Sequence, residues 1–232
     1  MGNNLIVFEK IMILDPYHCL GLKRNPFFAP DSLEIDGDRW LDLGYSVAPL
    51  PQQRIFLEII GQKGSGKTSH LLHWQQQTGG NYFYQKPWFW RELPPYLPQI
   101  TEDFNRRFIT YWDEANRIPI PTLLWVLKQA YHQKMTVVIA SHWSLKIFAK
   151  IVGFSVKTVK LKPFNLEQLK SWIDRQLIAE KLFDDHEPNL AFSSDQLETI
   201  MTVSQGSWRK AATYLHRLTA QQARECYRNL TR

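Results

Sequence analysis

The residues GQKGSGKT, Gly61 to Thr68, satisfy the spacing G-x-x-x-x-G-K-[ST]. Gly61, Gly64 and Gly66 permit a tight path on which backbone N–H groups turn inward, the geometry that cradles the phosphates of a nucleoside triphosphate. Gln62, Lys63, Ser65 and Ser69 complete the stretch that would line them. Lys67 would reach the β- and γ-phosphate oxygens, and Thr68 would offer its hydroxyl to Mg²⁺. A helix starting at this point aims its positive end at the same phosphates.

Such a loop needs a second half, an apolar strand ending in an acid. FITYWDE supplies it about 45 residues on. Asp113 would hold the Mg²⁺ shell through water, and Glu114 would act as general base on the attacking water. Neighbouring side chains of a strand point to opposite faces, so both acids can serve one site only where the strand ends and the backbone turns. The plain alternative is a surface Asp-Glu pair. A further strand, TVVIASH, ends on Ser141 and His142, either of which could sense the γ-phosphate; a structural loop histidine is the competing reading of His142. Arg209, in GSWRKAATYL just after Gly206, could swing over the γ-phosphate with its planar fork, or could be one more surface arginine of a basic helix.

The surrounding pattern supplies the elements these residues require. RIFLEIIG reads as a buried strand ahead of the loop and KTSHLLHWQQQ as the helix after it. NYFYQ, RFITYW, MTVVIASH and VKTVKL read as four more strands. PTLLWVLKQAYHQ reads as a helix with Pro119 and Pro121 at its start. Alternating strands and helices predict an α/β fold, a parallel sheet covered on both faces. After Pro163 no strand signal returns. NLEQLKSWIDRQLIAEKL is amphipathic, with Asn165 as N-cap and Gln168 completing a capping box. SSDQLETIMTVS and SWRKAATYLHRLTAQQARECYRNL follow as two more helices, divided by Gly206. The expected organisation is a turn-rich lead-in over 1–53, a P-loop core over 54–163 and an all-helical lid over 164–232.

The order GQKGSGKT, FITYWDEAN, TVVIASH and then a helical segment carrying GSWRKA resembles the AAA+ ATPases, over about residues 50 to 220. DEAN and LKPFNLEQLKSWI look most like the bacterial branch with secretion-associated and transposon-target-selecting ATPases, and the origin-recognition type. YHCLGLKRNPFFAPD is similar to the opening of the secretion-associated subgroup. The resemblance implies ATP and Mg²⁺ as cofactors, Glu114, Lys67, Ser141 and Arg209 as catalytic residues, and an arginine supplied to the γ-phosphate by a neighbouring subunit. Here the sequence departs, because no arginine stands between Arg117 and Arg175. The usual place holds Lys146, Lys150 and Lys157, and Arg117 is an alternative donor. Loss of such an arginine costs about 10³–10⁵ in rate. An ABC-type ATPase would need a signature helix that PQITEDFNRRF lacks, and the helical end argues against a small-molecule kinase.

The net charge of +6 is unevenly placed. Gly206–Arg232 holds six bases and one acid, which suits a polyanion such as nucleic acid or, equally, a solvated helix face. NYFYQKPWFWRELPPY, Asn81 to Tyr96, could stack on single-stranded bases or form core and protein contacts. The two cysteines, Cys19 and Cys226, show neither metal spacing nor a disulfide framework, so a reducing cytoplasmic setting is expected. Neither a signal peptide, a myristoylation pattern nor a membrane span is expected. The function implied is an ATPase that uses ATP binding and hydrolysis as a conformational switch on a DNA or protein partner, with self-assembly among the partners. The alternative is a nucleotide-gated binding module with little hydrolysis.

Overall fold

The computed structural model describes residues 15–27, 37–45, 53–86 and 108–230. The chain divides into two compact units, Gly44–Lys162 and Pro163–Arg232 with Met1–Leu43.

Among the described residues five strands build the first unit: β1 (Ile55–Ile60), β2 (Asn81–Tyr84), β3 (Ile109–Asp113), β4 (Thr136–Ser141) and β5 (Ser155–Lys160). All are parallel and ordered β2-β3-β4-β1-β5. Helices α1 (Lys67–Thr78), α2 (Ile120–His132) and α3 (Lys146–Val152) complete it. The period-two alternation of the strands sorts residues between two cores. Ile55, Leu57 and Ile59 of β1 join Tyr111, Val138 and Ala140 beneath Leu71 and Trp74 of α1. Phe56 joins Trp112, Val137 and Ile139 beneath Leu123 and Leu127 of α2 and Ala149 of α3. These near-continuous apolar runs are what a sheet covered on both faces requires. The parity also positions the chemistry. Asp113 shares the phase of Ile109 and Tyr111, so it faces the α1 side.

The strands and the helix after the loop lie where the sequence places them. Helix α3 is an addition to that reading. Its seven residues are closed by Gly153 at φ 107°, and they are too few to show a helical period.

In the second unit, α4 (Leu166–Ala179), α5 (Ser194–Ser204) and α6 (Trp208–Leu230) pack around Leu169, Ile173, Ile200 and Leu215. The capping box of Asn165 and Gln168 is present, and Ser193 and Gln196 form a second one at α5. The described lead-in up to Leu43 belongs to this unit, whereas Tyr45 packs against the core of the first. Leu20, Leu22 and Phe27 lie in its core, and Asn25 donates to the Tyr17 hydroxyl at 3.2 Å and to the His216 carbonyl at 3.0 Å. Arg24 and Arg39 both pair with buried Glu180. Gly206, at φ 78°, passes so close to Pro163 that a Cβ would lie 2.4 Å from the proline Cβ.

Candidate functional site

The loop from Gly61 to Gly66 joins β1 to α1. A Cβ on Gly61 would fall 2.5 Å from Ser65 Oγ, and Gly66 sets the start of α1 at φ 93°, where a side chain would be strained. Lys67 is buried; its Nζ donates to the carbonyls of Gly61 at 2.9 Å and Gln62 at 3.0 Å. The Ser65 hydroxyl is buried and meets no hydrogen-bond partner among the described residues. An unanswered donor in a glycine-lined turn beside a buried ammonium fits a phosphate.

Asp113 closes the other side. It is 1% exposed, and its Oδ2 accepts from Thr68 Oγ1 at 2.7 Å and from the Tyr82 hydroxyl at 3.1 Å. Oδ1 accepts from the Glu114 amide at 2.9 Å. Burial, followed by the Asp113 charge and hydrogen bond, raises the Tyr82 phenol above its usual range, so it stays a donor. One carboxylate beside one hydroxyl fits Mg²⁺, which usually takes its remaining oxygens from phosphate and water. Among the described residues no group of three or more His, Cys, Asp or Glu could hold a metal ion, so no all-protein cage competes with that arrangement.

The strand ends at Asp113, and Glu114 turns the backbone at φ 56°, ψ 34°. Two adjacent acids therefore reach separate partners. Glu114 Oε2 lies 3.3 Å from Arg117 Nη2 and 3.4 Å from His142 Nε2. Arg117 also donates Nη1 to the Gln85 carbonyl at 3.0 Å and to the Tyr84 hydroxyl at 3.3 Å. Asn116 Oδ1 accepts from the His142 amide at 3.3 Å. Arg117 thus pairs with Glu114 of the same chain.

Ser141 ends β4, and Arg209 lies in the first turn of α6. Ser141 is fully buried and gives its hydroxyl to the Trp143 carbonyl at 2.6 Å, so it fixes the turn after β4. His142 is the residue of that pair that meets Glu114. Arg209 is exposed as the second residue of α6, in the helical unit and not in the unit holding the loop. Of the aromatic stretch, Asn81–Tyr84 forms β2; residues 87–96 lie outside the described residues.

Two residues beyond the sequence reading join the site. Tyr82 is one. The other is Glu58, in the middle of β1 and fully buried. It shares the phase of Phe56 and faces the α3 side, where it accepts from Ser144 Oγ at 2.8 Å, the Leu145 amide at 2.9 Å and Thr158 Oγ1 at 2.6 Å. It ties the strand that feeds the loop to the turn that carries His142. A lone carboxylate inside the apolar run RIFLEIIG was the available signal, since a buried charge requires a dedicated set of partners.

No protein-family model matches this chain, and no curated protein does. Solved structures similar to it include two variants of RuvB from Thermotoga maritima. One is 18% identical, with TM-score 0.49, over 71% of this chain and 54% of its own. The other is 19% identical, with TM-score 0.49, over 72% and 52%. A Signal Transduction ATPase with Numerous Domains protein with a tetratricopeptide repeat sensor, from Pyrococcus horikoshii, is 13% identical, with TM-score 0.44, over 77% of this chain and 30% of its own. This chain thus spans about half the length of the RuvB chains. The fold itself rests on the strand order given above.

Proposed function

We propose that this chain binds ATP with Mg²⁺ along Gly61–Ser69 and hydrolyses it, using the cycle as a switch on a DNA or protein partner. The observation that carries this is the Thr68–Asp113 hydrogen bond of 2.7 Å, which joins the loop's helix to the acidic end of β3. Lys67 would hold the β- and γ-phosphates, Thr68 and Asp113 the Mg²⁺ shell, and Glu114 the attacking water. Bound Mg²⁺ would offset charge between phosphates. Glu114, once clear of Arg117 and His142, would orient the water and take its proton. A nucleotide-gated module with slow turnover is favoured by one observation, the Arg117 and His142 side chains of the same chain lying 3.3 and 3.4 Å from Glu114 Oε2. Phosphate release at saturating ATP separates the two. The hydrolysing protein releases phosphate above background and loses it on Glu114→Gln; a wild type at background leaves only the gated module.

A further inference from the structure

Helix α6 is 23 residues long, about 34 Å at 1.5 Å per residue. Ala211, Leu215, Thr219 and Ala223 bury one side in the helical unit. At 100° per residue, Lys210, Arg217, Arg224 and Arg228 fall within an arc of about 40° on the opposite side. All four are exposed. The only acid of the helix, Glu225, lies off that arc and accepts from Gln221 Nε2 at 2.9 Å. Among the described residues no carboxylate pairs with Lys210, Arg217 or Arg224.

A face built only for solvation commonly mixes signs, since opposite charges three or four residues apart stabilise a helix and like charges do not. Here the bases align and the acid is displaced. Lys210, Arg217 and Arg224 recur every seven residues, which spaces them by about 10.5 Å along one line. We propose that this stripe binds the phosphate backbone of duplex DNA. A rigid row of cations suits a polyanion carrying one charge per about 1.7 Å of axis, and the arginine fork suits phosphate oxygens. A membrane surface fits less well. An interfacial helix inserts its apolar face, and that of α6 is already buried by its own unit. The proposal names the partner of the proposed function and rests on that function only for what the contact accomplishes.

The test is fluorescence anisotropy of a labelled 30-base-pair duplex without nucleotide, titrated with salt. A protein without turnover can therefore still pass. Wild type binds at low salt, and the triple variant Lys210→Ala/Arg217→Ala/Arg224→Ala flattens the slope of log K against log salt by about three. Lys128→Ala/Lys160→Ala/Lys162→Ala, which removes equal charge elsewhere, keeps the wild-type slope. Arg217→Lys/Arg224→Lys keeps it as well, which separates lost charge from lost folding. An unchanged slope in the first triple variant would overturn the proposal. So would a wild type that ignores the duplex, or one that binds phosphatidylglycerol vesicles instead.

Discussion

Thr68 and Asp113, 45 positions apart in the chain, are joined by a hydrogen bond of 2.7 Å. The bond exists because Asp113 has the strand phase that faces α1, and because Gly66 lets α1 begin one residue before Thr68. Thr68→Ala removes the hydroxyl and leaves Lys67 in place. We expect ATP binding to lose most of its Mg²⁺ dependence, measured by calorimetry with and without the ion.

Glu114→Gln keeps the shape of the side chain and removes its ability to take a proton. Turnover should fall by about 10²–10⁴, the usual contribution of a positioned base. Affinity for ATP, read by equilibrium titration, should stay within a few-fold of wild type.

Tyr82→Phe removes one of the two side-chain donors to Asp113 Oδ2. A net hydrogen bond to a charged group contributes about 1.5–3 kcal/mol. The Mg²⁺ concentration giving half-maximal binding of ATP should rise by about ten- to a hundredfold, with the fold unchanged by circular dichroism.

Much of this was legible in the sequence. The loop, the Asp-Glu strand end and the helix start at Asn165 announce themselves through local spacing, and local spacing is what a sequence displays. The partners of Ser141 and Glu58 were hidden because parity and turn geometry decide them. Ser141 stands at the end of a strand where a sensor would stand, yet a carbonyl two residues on takes its hydroxyl. Glu58 meets Ser144 and Thr158, residues 86 and 100 positions away, and no pattern in one chain marks such a meeting. The lead-in reads as turns, while the packing of Leu20, Leu22 and Phe27 among the C-terminal helices depends on contacts some 150 residues distant in sequence.

Glu58→Gln leaves the volume and weakens the acceptor for Ser144, Leu145 and Thr158. The expected result is a loss of about 1–3 kcal/mol in chemical denaturation. The Trp143 indole NMR resonance should shift as the turn loosens. Ser144→Ala should shift the same resonance, and the two changes should not add, because they break one contact.

Tyr111 supplies a pH prediction. Burial pushes its phenol up to about 12, although a hydrogen bond with Thr78 acts the other way. The folded protein therefore keeps the neutral form where the unfolded chain ionises, near pH 10. Its stabilising contribution is full below about pH 10 and disappears as pH rises towards about 12. Denaturation midpoints between pH 9 and 12 should fall less steeply in Tyr111→Phe than in wild type.

Calorimetric titration of ATP with Mg²⁺ into wild type and Lys67→Ala addresses the nucleotide site most directly. Lys67 is buried within the loop on the carbonyls of Gly61 and Gln62, so its removal takes the ammonium out of the cradle. Saturable binding in the wild type, lost in the variant with an unchanged melting temperature, is the expected result. Equal binding by both proteins, or none by the wild type, would contradict the assignment of the loop as the ATP site.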